Sequence, residues 1–267
     1  MLFDIIHTGD LENLKLLQPE GWPDIVPEFE KYIRADFCYP IKALVDDTIA
    51  GIGTLMLFED TAWIGHMIVD KEFRNRGIGY RILTELLNIL DNTSIETCLL
   101  IASELGRPLY LKAGFRDVTE YCFMRREKPW EEKSVHEKIS RYMNDQISVI
   151  LELDQKVTGE NREKLIMEHL KDASVYIDNS TIQGFYLPKL KEGPIIAENE
   201  KAGLALMELK YSGPDKAVLP SDNKAGIRFL DEHGFVKSDK KGTRMIRGKD
   251  IDWKPENIYS RIGGNFG

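Results

Sequence analysis

"KEFRNRGIGYRIL", residues 71–83, sets Arg74, Arg76 and Arg81 around Gly77 and Gly79 at the point where a helical pattern begins. Cations at a helix start oppose the macrodipole, whose N-terminal end is already positive. The arrangement makes sense when an anion sits among them. Behind the loop, Ile78, Ile82, Leu83, Leu86, Leu87 and Leu90 recur at helical spacing, an apolar stripe suited to lie on a sheet. Ahead of it, "WIGHMIV" reads as an apolar strand. A strand, a glycine loop and a helix in that order present free backbone N–H groups and a positive dipole end to phosphate. Gly77 and Gly79 let the main chain approach a pyrophosphate, and Arg74 and Arg76 add charge-assisted hydrogen bonds. By itself R-x-x-G-x-G also describes a basic surface turn.

Other phosphate signatures fit worse. "GIGYRI" lacks the third glycine of a dinucleotide fingerprint, and no G-x-x-x-x-G-K-[ST] occurs. "GIGTLM", residues 51–56, runs on into a strand pattern and reads as a sheet glycine pair.

The 267 residues are 42% apolar with a net charge of −8, enough for a substantial core and the wrong sign for a nucleic-acid footprint. Three cysteines, Cys38, Cys98 and Cys122, carry no C-x-x-C or metal spacing and fit reduced thiols. No signal-peptide pattern opens the chain, and no run approaches the roughly 18 apolar residues of a membrane helix. The expectation is a soluble cytoplasmic protein without metal, membrane or nucleic-acid partner. The oligomeric state is left open.

Along the chain, strands are expected at "LFDIIHTG", "IKALVDD", "IAGIGTLMLFED", "TAWIGHMIVD", "IETCLLIAS" and "TEYCFMRRE". Helices are expected at "DLENLKLL", "DIVPEFEKYIRADF", "IGYRILTELLNILDN" and "ELGRPLYLKAGF". Residues 127–134, "EKPWEEKS", read as a linker. The second half begins with helical candidates "HEKISRYMNDQISVILELD" and "NREKLIMEHLKD" and strands "ASVYIDN" and "TIQGFYLPKL". Strand, helix, strand, helix and strand then return as "GPIIAEN", "EKAGLALMELKYSG", "KAVLPSD", "NKAGIRFLDEHGF" and "TRMIRG". The pair "LYLKAGF" and "FLDEHGF" marks a duplication. In each copy the glycine is expected to be left-handed and to close a helix, while the phenylalanine drops into the core. The domains expected are 1–128 and 134–267.

With Arg74-x-x-Gly77-x-Gly79 between strand and helix and "PLYLKAGF" after the next strand, residues 62–126 resemble the GNAT superfamily of N-acetyltransferases. "WIGHMIVDKEFRNRGIG" together with "ELGRPLYLKAGF" is similar to a two-domain bacterial subgroup in which a second GNAT-like half follows the first. The resemblance implies an α/β (α+β) architecture of tandem GNAT-like folds, each a mixed twisted sheet flanked by helices. It also implies that the first half binds acetyl-CoA and acylates a small-molecule or peptide amine. The implied cofactor contacts are Met67, Ile68 and Val69 for the pantetheine and carbonyl, and Arg74, Asn75, Arg76, Gly77, Ile78, Gly79 and Tyr80 for the diphosphate. Tyr110 matches the family tyrosine that protonates the departing sulfur; a half-buried structural tyrosine is the competing reading. Ser103 stands where many members carry a CoA-binding asparagine, which the second half has at Asn223.

The second half carries Leu230 where the first has Tyr110. Glu198, Glu200 and a single lysine, Lys201, flank its helix start, so only one CoA site is expected. His66 is the histidine near the proposed site, either as base for the amine or as a strand histidine satisfied by a neighbour; Glu104 and Glu59 are the alternatives. Asp154, Gly159 and Arg162 match a subgroup pattern that either braces a loop or presents charge to substrate. A non-catalytic acyl-CoA sensor is the alternative function.

Overall fold

The computed structural model describes residues 1–128 and 136–267, so the expected linker at 127–134 lies almost wholly outside the described residues. Packing divides the chain into two compact units. The first comprises Met1–Leu100, Gly106–Arg116 and Ile246–Gly248; the second comprises Ile101–Leu105, Asp117–Met245 and Lys249–Gly267.

In the first unit β1 (Leu2–Ile5) leads through α1 (Leu11–Leu14) and α2 (Val26–Arg34) to β2 (Cys38–Val45), β3 (Thr48–Leu57) and β4 (Thr61–Val69). Then come α3 (Ile78–Asp91), β5 (Thr97–Ala102) and α4 (Arg107–Lys112). The strands lie in the order β1-β2-β3-β4-β5, antiparallel up to β4 and parallel between β4 and β5. All six stripe residues of α3 are buried. The helix comes so close to β3 that a Cβ on Gly51 would lie 2.9 Å from Ile82 Cδ1, and one on Gly53 2.8 Å from Ile82 Cγ2. The expected sheet glycines are thus the floor on which α3 rests. Phe29 and Tyr32 of α2 are buried as well.

The second unit takes most of β6 (Arg116–Arg125), then β7 (Ile139–Arg141), α5 (Ile147–Thr158), α6 (Glu163–Met167), β8 (Ser174–Asp178), β9 (Thr181–Tyr186) and β10 (Ile195–Ala197). After them follow α7 (Glu200–Tyr211), β11 (Lys216–Pro220), α8 (Lys224–Glu232), β12 (Val236–Lys237), β13 (Thr243–Gly248) and β14 (Ile258–Ser260), with the last three residues of β13 grouped in the first unit. One sheet runs β14-β10-β9-β8-β7, and β6 pairs with β11 and β12. Leu206, Tyr211, Leu219, Leu230, Phe235 and Tyr259 form much of the core.

Two local expectations change. The helix expected from residue 136 begins only at Ile147, because Ile139–Arg141 is a strand paired with β8 from Ile139–Tyr176 to Arg141–Ser174. Strand pairing overrides the weak local helix preference there. The strands β12 and β14 were not anticipated.

The duplicated helix ends match their expectation. Gly114 has φ +86° and Gly234 φ +79°. Phe115 N–H donates to Tyr110 O at 3.1 Å, and Phe235 N–H to Leu230 O at 3.0 Å. Those are the bonds that a left-handed glycine makes available at a helix terminus. Both phenylalanines are buried, at 3% and 2% exposure.

Candidate active site

The site begins with a defect in β4. Opposite Gly53 the strand carries one residue too many, so the register with β3 jumps from Ile52–Ile68 to Thr54–Gly65. His66 sits in this bulge with φ +50°, a left-handed conformation rare for a residue with a Cβ. Pairing with β5 runs from Thr61–Thr97 to Ile64–Leu100. Beyond it Met67 shares the bulge with His66 and Ile68 and Val69 pair with Ile52 and Gly51 of β3, while the register with β5 ends at Ile64–Leu100. Arg74 Nε donates to Val69 O at 3.1 Å, which ties the next loop to β4.

The loop ends at Gly77, the residue preceding α3, with φ +75° and nothing within 4 Å of where a Cβ would be. No side chain caps this helix. Its first-turn N–H groups therefore meet the need that helix termini fill with side chains, water or ligand by remaining available to the latter two. Arg76 stacks its guanidinium 5.3 Å from the Phe73 ring centre, and Arg74, Asn75 and Arg76 are exposed. Asn75 also has φ +61°, which asparagine tolerates better than most residues.

Helix α4 abuts the same helix start. A Cβ on Gly79 would lie 3.2 Å from Leu109 Cδ1 and 3.5 Å from Val69 Cγ2. Lys112 Nζ lies 5.0 Å from the Tyr80 ring centre. Sequence reasoning missed Lys112 as a further cation beside the loop; its position two residues after Tyr110 was the available signal. Between them, Tyr110 is 8% exposed and packs edge-on against Phe115 with ring centres 6.0 Å apart. Burial pushes the Tyr110 phenol above its ordinary pKa, so it holds its proton.

His66 lies on the α2 side of the sheet. Its Nδ1 is 3.0 Å from Tyr32 Oη, and its ring packs edge-on at 5.5 Å from Phe29 and Tyr32 and 6.2 Å from Trp22. Tyr32 and Trp22 were not singled out by sequence. Glu59 is exposed, Glu104 is an exposed residue paired with Lys241 at 2.9 Å, and Ser103 is exposed in the Ile101–Leu105 segment of the second unit. Burial pushes the Cys98 thiol up to about 12 and raises that of Cys122, so neither is a thiolate nucleophile.

The counterpart in the second unit is built differently. Asn199 caps α7 with its own side chain, accepting from Ala202 N–H at 3.0 Å. The Tyr259 ring presses on Gly203, where a Cβ would come within 2.2 Å of it. Asp154 and Arg162 form a bidentate pair at 2.6 and 3.0 Å, each about 4% exposed or less, so they brace the loop after α5. A small, partly open void of about 10 Å³ beside Arg162, Arg244 and Arg261 has room for about one water.

Residues 12–126 and 150–260 each match an acetyltransferase (GNAT) domain family. The chain belongs to the GNAT acetyltransferases and carries two such domains in tandem. It is 27% identical over 251 residues to the uncharacterised N-acetyltransferase YitH of Bacillus subtilis, covering 88% of this chain and 86% of that one. In fold it is similar to a putative acetyltransferase from Pyrococcus horikoshii, with TM-score 0.83, 21% identity, and coverage of 100% of this chain and 95% of that chain. A GCN5-related N-acetyltransferase from Sphaerobacter thermophilus aligns with TM-score 0.65 and 14% identity, covering 95% of this chain and 98% of the other. No helix among the described residues is long and apolar enough to cross a membrane.

Proposed function

We propose that the chain is an acetyl-CoA-dependent N-acetyltransferase acting on a primary amine of a small molecule or peptide, with its one coenzyme A site in the first half. The observation that carries this reading is the uncapped start of α3 at left-handed Gly77, placed where β4 has left β5. The donor set fits an anionic, amide-bearing ligand. First-turn N–H groups from Ile78 to Tyr80, with Arg74, Asn75, Arg76 and open Gly77 and Gly79, would hold the diphosphate. Lys112 adds charge. Main-chain groups of Met67, Ile68 and Val69 would take the pantetheine arm as a strand edge does and present an N–H to the reacting carbonyl oxygen. Acetyl-CoA supplies a thioester carbonyl and a thiolate leaving group.

His66 accepts the proton of the attacking amine, and Tyr110 Oη is the proton donor to the leaving sulfur. An ordinary phenol pKa of about 10 already exceeds that of a thiol, about 8.5, and burial of Tyr110 keeps the acid loaded. Holding amine and carbonyl in place contributes several kcal/mol, on the order of 7–11 in the best-oriented cases. Calorimetry with coenzyme A tests the reading first: one site per chain is expected, and two equivalent sites or none would overturn it. Thiol release from acetyl-CoA, measured over polyamines, amino acids, aminoglycosides and peptides, then identifies the acceptor. Tight CoA binding with no release from any of them would favour a sensor instead.

A further inference from the structure

We infer that the small void in the second unit is a binding site for one monatomic anion of halide size, held by Arg261 Nη1 and Trp253 Nε1. At about 10 Å³ it takes a single small ligand, and a halide is little larger than the one water that such a space holds. Its walls come from segments far apart in sequence: Glu160 and Arg162 after α5, Arg244 in β13, Trp253, and Ser260 and Arg261 where β14 ends. Arg261 is 6% exposed, and its Nε and Nη2 each donate to the Glu192 carboxylate at 2.8 Å. The remaining nitrogen, Nη1, is buried and has no acceptor among the described residues, and the same holds for Trp253 Nε1. The indole is fixed in place, with the Arg244 guanidinium 4.4 Å from its ring centre.

A buried donor left without an acceptor is costly, more so when it is charged. Acceptors on the walls are engaged: Glu160 Oε1 takes Arg244 Nη2 at 3.1 Å, Ser260 Oγ takes Lys210 Nζ at 2.5 Å, and Gly267 O takes Ile262 N–H at 2.8 Å. Two unmet donors fit a ligand that only accepts. A water brings protons that need acceptors of their own; a halide brings none. Charge points the same way. Arg162 pairs with Asp154, Arg244 with Glu160 and Arg261 with Glu192. Beside them buried Lys210 donates to Glu192 O, Gly193 O and Ser260 Oγ, none of them a carboxylate. That set holds four cations and three carboxylates. Burial presses the Lys210 ammonium down to about 7, Glu192 pulls the other way, and the Arg261 charge lowers it further. An anion beside Arg261 offsets that repulsion, in surroundings where low dielectric makes such terms large.

Crystals of the full chain soaked in bromide read the site without any substitution. The expected result is an anomalous peak in the void, bonded to Arg261 Nη1 and Trp253 Nε1. In solution, urea unfolding is followed as chloride replaces gluconate at fixed ionic strength. An ion that binds only the folded chain stabilises it by mass action, so a saturable gain is expected above the general salt effect. Trp253→Phe deletes one N–H and keeps a ring against Arg244; it should weaken the apparent chloride affinity about tenfold, as loss of a bond to a charged group does. Water alone in the void after the soak overturns the assignment, and so does a wild type without saturable gain. A bromide peak without that gain marks an adventitious ion only and overturns it too. A Trp253→Phe chain with the wild-type chloride response removes the indole from the site and has the same consequence.

Discussion

The two halves begin their central helices in opposite ways. Helix α3 starts at a glycine with φ +75°, has no side-chain cap and is flanked by Arg74 and Arg76. Helix α7 starts at Asn199, whose side chain satisfies Ala202 N–H, and its fourth residue, Gly203, is pressed by the Tyr259 ring. A helix start satisfied from within has little left for a phosphate; one left open spends its donors on a ligand or on water. Duplication preserved the helix ends, Gly114–Phe115 and Gly234–Phe235, and diverged at the helix starts. The difference teaches that the turns closing α4 and α8 were kept while the starts of α3 and α7, two other helices, diverged.

Several variants would break or sharpen that contrast. Tyr110→Phe makes the first half resemble the second, which has Leu230, in lacking a phenol there; turnover should fall on the order of 10²-fold with coenzyme A affinity intact. A full-rate phenylalanine enzyme, seen in steady-state thiol release, would remove the tyrosine from the chemistry. Arg74→Ala and Arg76→Ala should each weaken coenzyme A binding by about 1–3 kcal/mol, as lost charge-assisted bonds do; calorimetry measures it, and unchanged affinity would reduce both to surface residues.

Glycine substitutions probe the packing side. Gly203→Ala drives a methyl into the Tyr259 ring and should cost about 1–3 kcal/mol in denaturant unfolding. Gly79→Ala meets the movable end of Leu109 at 3.2 Å and Val69 Cγ2 at an ordinary 3.5 Å, so the helix-propensity gain of roughly 0.5–1 kcal/mol should offset most of its strain. Equal losses at the two positions would erase the contrast. Asn199→Ala should cost about 1 kcal/mol of stability through the lost cap, with no change in coenzyme A affinity.

Much of the fold was legible because its signals are local. The α3 stripe announced which face lies on the sheet, and Gly-Phe announced both helix ends, since periodicity and a left-handed terminus depend on a few consecutive residues. The segment at 139–141 was misread as helix because its state is set by pairing with β8, some 35 residues further on. For the site, the loop and Tyr110 stood out by spacing. The partner of His66 did not, because Tyr32 lies 34 residues away on another element.

By itself the sequence determined the duplicated α/β order, the glycine and arginine loop, and the asymmetry of charge between the two helix starts. Each of these resides in contiguous residues whose conformational preferences and charges act over one or two turns. Only the tertiary structure decided the bulge that turns His66 toward α2, the parting of β4 from β5, the approach of Lys112 to Tyr80 and the Tyr259 ring over Gly203. Those features arise where segments distant along the chain pack at van der Waals distance, and no local pattern encodes which of them will meet.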